Sequence, residues 1–367
     1  MAKKKQAYSA GKTALWSIAS LVLGVVIGFL AVAYYFFPQG KGEKVVIVNG
    51  ELQIHFMELG NKYTGDSIYI KAGETDILID AGSRTSSAKT ISSYVNQFCT
   101  DGTLEYVIVT HGDRDHIAGF AGDKTNPSLF TMYECETIID FPLTNQTSET
   151  YQNYVKSRDA EVAEGATHYN ALQCYRETDG AKRIYTISDG IEMEILYNYF
   201  YENKSSDENN YSVCVLIRQG SYHYLLTGDL EEEGEERLVE YNDLPEVELF
   251  KAGHHGSKTS SNDCLLSVIK PKIVCVCCCA GHNEYRAKPE NVFPTQAMID
   301  RVSVYTERVY VTTLYNEATE SYGSMNGNIV VTGGKSGVTV NCSNNNTILK
   351  ETEWFKANRI MPSAWAA

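Results

Sequence analysis

The sequence predicts an α/β fold, an αββα sandwich preceded by one N-terminal transmembrane helix. Short β-type runs alternate with helical segments from about residue 45 onward, which indicates layered sheets with helices outside. Histidines and aspartates follow several β-runs directly, and an uncharged stretch lies near the N-terminus. The predicted parts are a cytoplasmic basic tail (1–12), a transmembrane signal anchor (13–37), a linker (38–50), a folded domain (51–345) and a C-terminal tail (346–367).

The anchor prediction depends on residues 13–37, which carry no charge. An apolar helix of that length exceeds the roughly 30 Å hydrocarbon core of a bilayer. Four lysines and no acid precede it, so the positive-inside rule keeps the N-terminus cytoplasmic and places the domain outside the cell. The predicted location is therefore the cell membrane, with a single pass. A cleaved signal peptide ending at Ala31-Val32-Ala33 is the alternative.

The folded domain begins with β-runs at 52–59, 66–73 and 75–82, a helix at 86–99 and a buried strand at 104–110. Residues 121–190 are polar and rich in tyrosine, and we expect one helix plus loops there. Alternating strands and helices resume from residue 191, with late strands in "RVYVTT", "GNIVVTG" and "GVTVNC". Strand meanders combined with single crossover helices are typical of a sandwich rather than of a repeat protein.

Composition limits the partners and the redox chemistry. The formal net charge is −14, and an acidic body of this size repels polyanions, so nucleic acid is a possible but not a favoured partner.

Ten cysteines include the run in "KIVCVCCCAG", inside a β-branched stretch. Thiols in such a strand behave as small hydrophobes, and we expect most of them to be buried and free.

The stretch "VIVTHGDRDHIAGF" carries the densest chemistry. His111, Asp113, Asp115 and His116 lie within six positions directly after an apolar run. If the turn is tight, these side chains converge, and divalent cations accept histidine nitrogen and carboxylate oxygen as ligands. An Asp-rich solvated loop with two incidental histidines is the structural alternative.

Two further clusters follow β-runs. Asp229 ends "LLTGD", where it is either a ligand or a helix cap. His254 and His255 lie in "FKAGHHGSKTSS", followed by Lys258, which alternatively is only a surface charge. The shared position at the end of a β-run favours one common site.

These motifs resemble a known family. HGDRDH is similar to the HxHxDH signature of the metallo-β-lactamase fold, with Asp113 in place of the second histidine. That replacement resembles the exported hydrolase domain of ComEC-type competence proteins. The similarity extends through "LLTGDLE" and "LFKAGHHGSKTS" and covers roughly residues 50–285. It implies a metallo-β-lactamase-like hydrolase domain over 51–345.

The resemblance implies two divalent metal ions, Zn²⁺ or Mn²⁺. His111 and Asp113 would hold the first, Asp115 and His116 the second, and Asp229 would bridge them. One of His254 and His255 would complete the second site, with His255 preferred. Asn210 lies near the place where many relatives have a third ligand of the first site, and Asp80 matches a position that orients ligands.

The resemblance also implies a mechanism. A hydroxide held by both metals would attack a phosphorus or carbonyl centre, and His254 or Lys258 would stabilise the developing negative charge. Asp115 would be both a ligand and the acceptor of the water proton. His282 is expected to be a surface histidine, and Lys288 stands near the position of a further family histidine.

The predicted function is a membrane-anchored extracellular phosphodiesterase that acts on a phosphoester or a cell-surface polymer. Two alternatives stay open. One is a hydrolase of a non-phosphate ester or amide. The other is a catalytically inactive, metal-stabilised surface binding module, with tyrosine-rich residues 145–210 as its contact face.

Overall fold

The computed structural model describes residues 51–284 and 288–366. The predicted basic tail, anchor and linker lie outside the described residues. Within the described part, no helix combines the length and apolar character that a membrane crossing requires.

The described residues form sixteen strands in two sheets. The strands are β1 Leu52–Phe56, β2 Ile68–Ala72, β3 Thr75–Ile79, β4 Thr103–Ile108, β5 Glu134–Asp140, β6 Thr167–Asn170, β7 Ile184–Ser188, β8 Ile191–Ile195, β9 Val215–Gln219, β10 Tyr222–Leu226, β11 Leu249–Lys251, β12 Ile273–Ala280, β13 Val309–Asn316, β14 Ser321–Ser324, β15 Ile329–Gly334 and β16 Gly337–Cys342. The first sheet has the order β16-β15-β1-β2-β3-β4-β5-β6, and the second has β14-β13-β12-β11-β10-β9-β8-β7.

Eight α-helices occur in the same residues. They are α1 Ser87–Val95, α2 Arg114–Ala121, α3 Glu149–Glu164, α4 Ala171–Arg176, α5 Glu232–Tyr241, α6 Asp263–Ile269, α7 Gln296–Ser303 and α8 Glu353–Asn358. Several begin at a residue whose side chain accepts a backbone N–H of the first turn, as Ser148 does for α3 and Thr295 for α7.

Alternation along the strands divides the core. In β9, Val215 and Ile217 pack in a cluster with first-sheet residues such as Ile54, whereas Leu216 packs on the other face with Leu238 of α5. Since successive side chains of a strand point to opposite faces, the second sheet contacts the first sheet on one side and helices on the other. The predicted α/β sandwich is confirmed.

The expectation for residues 121–190 is wrong. This region holds three strands and two helices, β5, α3, β6, α4 and β7, and it forms the edges of both sheets. Burial patterns here are mixed, as in β6 with none of its residues fully buried, so hydrophobic periodicity is weak.

The tyrosines of residues 145–210 serve the core more than a contact face. Tyr154, Tyr185 and Tyr201 are buried, and the other five are partly buried. Tyr154 donates to Asp140 at 2.8 Å and packs against Phe141. Five of the eight tyrosines remain partly exposed, and the alternative of a tyrosine contact face stays a prediction.

The last described residues belong to the same body. Leu349, Phe355 and Trp365 are buried and join the helix-side cluster of the second sheet. The domain boundaries themselves stay a prediction. All ten cysteines are free, and eight of them are buried, as expected for thiols that act as small hydrophobes.

Candidate metal centre

Strand ends bring the candidate residues together. β3 and β4 are parallel neighbours in the first sheet, so Asp80 and His111, which follow them, lie at the same edge. β10 and β11 are parallel neighbours in the second sheet, and Asp229 and His255 follow them. The carboxyl ends of parallel strands share one edge, and the two sheets face each other, which places the four residues in one region.

His116, at the start of α2, is fully buried. Its Nδ1 lies 2.7 Å from Asp80 Oδ2, and since a carboxylate only accepts, this nitrogen donates its proton to Asp80. Thr110 fixes Asp80 in turn, through its backbone N–H at 2.8 Å and its hydroxyl at 2.7 Å. Nε2 of His116 then faces Asp229 Oδ2 at 3.1 Å. Two acceptors that face each other need a cation between them, either a proton or a metal ion.

His255 repeats this arrangement from the second sheet. Its Nδ1 lies 2.9 Å from the carbonyl oxygen of Cys277, which can only accept, so this nitrogen also carries the proton. Its Nε2 lies 3.0 Å from Asp229 Oδ2 and 3.2 Å from Asp115 Oδ2. Asp229 Oδ2 thus lies between the Nε2 atoms of two histidines that come from different sheets.

His111 carries a polar atom without a partner. The side chain is fully buried, and its Nε2 makes no hydrogen bond within the described part of the chain. The nearest carboxylate oxygen is Asp113 Oδ2 at 3.6 Å. Gln146 donates to the other oxygen of Asp113, which leaves Oδ2 facing His111. A buried nitrogen without a partner costs about 1–3 kcal/mol, and a bound cation would remove that cost.

Sequence reasoning missed two buried residues of the centre. Asp66 lies with His116, Asp229 and His255 in a group whose ligand atoms are all within 4.8 Å of one another. Lys251, the last residue of β11, is fully buried and pairs with Asp66 and with Asp229, the latter at 3.1 Å. The available signal was a lysine between Phe250 and Ala252 in a β-run. If such a strand is buried, its lysine needs acidic partners, because an unpaired ammonium is costly to bury.

The charges of the centre stabilise one another. Burial alone would raise the pKa of Asp229, but the charges of His255, His116 and Lys251 outweigh burial and hold that pKa well below its ordinary value. Burial alone would lower the pKa of His116, but Asp229 and Asp80 raise it well above its ordinary value. The pocket therefore attracts positive charge strongly.

The donor set fits divalent metal ions. Three histidines and the carboxylates around them are the ligands that Zn²⁺ and Mn²⁺ accept. The hydrogen bonds from His116 to Asp80 and from His255 to a carbonyl are the outer contacts that orient ligating histidines. The Nε2 of His111 makes no hydrogen bond with the described residues, and a metal ion between it and Asp113 Oδ2, 3.6 Å away, would supply the missing partner.

A cleft of about 420 Å³ opens onto this centre. Residues of the loops and helix starts that follow strands line it: Arg84, Asp113, Arg114, Asp115, Asn209, Asp229, His254 and Glu284. The two adjacent histidines separate here, because both have positive φ angles of 45° and 55° and their side chains diverge. His254 Nδ1 contacts Glu231 and Thr259, each at 3.1 Å, and its ring lines the cleft while His255 faces Asp229.

Two predicted site residues lie elsewhere. The Asn210 side chain accepts from the Glu231 backbone at 3.4 Å and donates to Ser205 at 3.2 Å, so it braces the loop before α5 instead of joining the first metal position. Lys258 is exposed and does not line the cleft. Ser212 lies 3.4 Å from His111 Nδ1 and accepts from the Asp229 backbone, so it contacts His111 on the nitrogen that faces away from the candidate metal position.

His282 is not a surface residue. Its side chain is 8% exposed and packs between Tyr63 and Tyr315, with ring centroids 5.8 and 4.6 Å away. Lys288, by contrast, is exposed.

Comparison with known proteins agrees with this geometry. The model of the metallo-beta-lactamase superfamily matches residues 60–122, which contain Asp66, Asp80 and the whole HGDRDH turn (111–116). Competence protein ComA of Neisseria gonorrhoeae is 25% identical over 244 residues, 66% of this chain and 28% of that protein. ComE operon protein 3 of Bacillus subtilis is 25% identical over 49% of this chain and 20% of its own length. The fold is that of the metallo-β-lactamase superfamily. The resemblance to ComEC-type competence proteins is confirmed.

The chain spans only about a quarter of the length of these curated relatives. Among solved structures, the metallo-beta-lactamase fold protein YhfI of Bacillus subtilis is similar, with 11% identity, 71% of this chain and 95% of that chain covered, and a TM-score of 0.40. The short form of human tRNase Z is also similar, with 13% identity, 73% and 94% covered, and a TM-score of 0.35.

Proposed function

We propose that this chain is a metal-dependent phosphodiesterase, held at the cell membrane by residues 13–37 with its hydrolase domain outside the cell. The observation that carries the proposal is the approach of the His116 and His255 Nε2 atoms to Asp229 Oδ2 in one buried pocket, beside the His111 ring, whose Nε2 makes no hydrogen bond with the described residues. This pocket opens to a cleft, so a substrate can reach it.

The residues present would hold two divalent ions, Zn²⁺ or Mn²⁺. We assign His111 and Asp113 to one position and Asp115, His116 and His255 to the other, and Asp229 would bridge the two; the contacts of His111 with Asp113 and of His255 with Asp115 and Asp229 support this assignment. When bound, such ions lower the pKa of a water molecule and neutralise charge on the phosphoryl oxygens.

Asp115 and His254 would carry out the proton transfer and the contact with the substrate. In the hydrolysis, a water oxygen bonds to phosphorus, the ester P–O bond breaks, and the two protons of water end on the two products. Asp115 lines the cleft, and its Oδ2 lies 3.2 Å from His255 Nε2, so this carboxylate is positioned to accept the first proton. His254, fixed by Glu231, faces the cleft, where it contacts the substrate phosphoryl group or the leaving oxygen.

The substrate is expected to be a small phosphodiester or a cell-surface polymer. An anchored domain outside the cell meets wall polymers and extracellular metabolites before anything else. The acidic body disfavours long nucleic acids, although the relatives are competence proteins. Hydrolysis of a non-phosphate ester is the alternative within the enzyme class, and an inactive metal-stabilised binding module is the alternative outside it.

The test uses the full-length protein in detergent, loaded with Mn²⁺ or Zn²⁺ and dialysed. We expect bound metal by elemental analysis and hydrolysis of bis-p-nitrophenyl phosphate, with loss of turnover to background in Asp115→Ala and in His116→Ala. Lys124→Ala, a change of an exposed residue outside the cleft, is the matched control and should keep full activity. Full turnover in His116→Ala contradicts the mechanism, and bound metal without turnover on any phosphoester favours the binding module.

A further inference from the structure

The cleft contains two arginines whose surroundings differ. Arg84 is fully engaged, since it donates to the Ser83 carbonyl at 2.7 Å and to Glu284 at 3.1 Å. Its guanidinium also lies 3.5 Å from the centre of the Tyr63 ring. Arg84 is therefore part of the wall of the cleft, and its charge is balanced by Glu284.

Arg114 has no such partners. It is the first residue of α2 and is exposed, and its side chain makes no hydrogen bond or ion pair with any residue that the structure describes. The carboxylates on either side of it are already in contact with other groups, Asp113 with Gln146 and Asp115 with His255. An unpaired guanidinium therefore lies at the mouth of the cleft, between two residues of the candidate metal centre.

A guanidinium without a partner at the rim of a substrate cleft is suited to an anion, because its planar fork pairs with two oxygens of a phosphate. The chain is acidic overall and repels polyanions, so a guanidinium at the mouth would favour a short phosphorylated substrate over a long polyanion. The scissile group would lie deeper, between Asp115 and Asp229, and Arg114 would contact what extends from it.

We propose that Arg114 binds a second phosphate of the substrate, so that the preferred substrates are small phosphodiesters with an additional phosphate next to the scissile one. This inference rests on the proposed phosphodiesterase function and names its substrate class. Arg114 acts on specificity and has no part in the bond-breaking step.

A matched pair of substrates tests the inference. Thymidine 5′-(p-nitrophenyl phosphate) has one phosphate, and its 3′-phosphorylated form differs only by the second. We expect the full-length, metal-loaded protein to prefer the 3′-phosphorylated substrate by about tenfold in kcat/KM, the effect of one charge-assisted contact, mainly through KM. In Arg114→Gln the ratio should fall to about one, and in Arg114→Lys it should be intermediate. Raising the salt concentration should reduce the preference of the unmodified protein.

The outcomes separate the inference from the function on which it rests. No turnover of either substrate removes the proposed function. Turnover with equal kcat/KM for both substrates keeps the function and overturns the role of Arg114. An unchanged ratio in Arg114→Gln also overturns it, as does an equal loss on both substrates, which would place Arg114 at the scissile phosphate. Lys124→Gln, which removes an exposed cation outside the cleft, should leave the ratio as it is.

Discussion

Strand β3 has a buried aspartate near each end: Asp76 belongs to one group of potential metal ligands, and Asp80 contacts a member of the other. Asp76 lies at its beginning, near Cys99 and Asp101, and Asp80 directly follows its end, in contact with His116. Counting ligand types alone would rank the two groups as similar. Their hydrogen-bond partners distinguish them.

At the beginning of β3, every donor or acceptor has a complementary partner. Asp76 accepts from the Tyr69 hydroxyl and from the Lys71 ammonium, the latter at 2.7 Å. The Cys99 thiol donates to the Thr103 carbonyl at 3.2 Å, and burial raises its pKa to about 11, so it stays protonated. A thiol must lose its proton to bind a metal ion, which makes this group a poor site.

At the end of β3, the contacts of Asp229 with two histidines need a cation, either protons on the histidines or a metal ion. Nδ1 of His116 and Nδ1 of His255 donate to outer partners, and both Nε2 atoms point at Asp229 Oδ2, 3.1 and 3.0 Å away. Comparison of the two ends indicates that a metal site is recognised by hydrogen-bond acceptors for which the protein supplies no neutral donor (unmatched acceptors). A concentration of ligand-type residues is not sufficient.

The largest expected effect comes from Asp229→Asn. The change replaces one acceptor oxygen with an N–H donor. This N–H can donate a hydrogen bond to a neutral histidine Nε2, so a cation is no longer needed between the two side chains. We expect metal affinity to fall by more than about 100-fold, beyond the range for outer partners, with hydrolysis at background. Isothermal titration with Mn²⁺ and Zn²⁺ measures this.

Asp76→Asn is the matched control for Asp229→Asn, because it makes the same change at the other end of β3. It should lower stability through the Tyr69 and Lys71 contacts and leave metal binding unchanged. Equal effects of the two variants on metal affinity would contradict the comparison between the two ends.

The candidate centre was predictable where its residues lie close together in sequence. The HGDRDH turn (111–116) supplies ligands within six positions, and Asp229 and the paired histidines follow clear β-runs. Asp66 was missed because the predicted β-run over 66–73 includes it, whereas β2 begins only at Ile68. Lys251 was missed because a single lysine in a strand ordinarily indicates an exposed edge, and only the fold shows that Asp66 and Asp229 neutralise it.

The fold was predictable where strands are buried on both faces. β12 reads as a continuous apolar run and is buried throughout, as predicted from "KIVCVCCC". β6 and β7 lie at the edges of the two sheets; β6 has no fully buried residue and β7 buries only Tyr185 and Ile187, so the local sequence carries little of their signal. Their structure depends on pairing with β5 and β8, which are distant from the motifs that identify the fold.

A smaller effect is expected from Asp80→Asn. The amide oxygen can still accept from the Thr110 backbone N–H, but an amide nitrogen in place of Oδ2 no longer accepts the proton of His116 Nδ1, so Nε2 is oriented less well. Loss of such outer partners weakens metal affinity by about 10- to 100-fold. The same titrations report this, and a change in the ratio of the two metal affinities would show which position is affected.

Asp140→Asn is the control for Asp80→Asn. Asp140 ends β5, is equally buried and contacts His168 Nε2 at 2.8 Å, but it belongs to neither group of potential ligands. It should lower the melting temperature through Tyr154 and Arg158 without changing metal affinity. A loss of affinity in Asp140→Asn as large as in Asp80→Asn would mean that folding stability, and not the orientation of His116, sets metal binding.

The smallest effect is expected from Cys99→Ser and Asp101→Asn. Asp101 is exposed, and its Oδ1 already accepts the Thr103 backbone N–H at 3.1 Å. Serine keeps the donor that Cys99 directs at the Thr103 carbonyl. Metal content by elemental analysis should therefore stay at the level of the unmodified protein in both variants. Loss of one metal equivalent in either variant would show that a group whose hydrogen bonds are all satisfied can still bind a cation. In that case, unmatched acceptors would not be enough to identify the metal centre at the other end of β3.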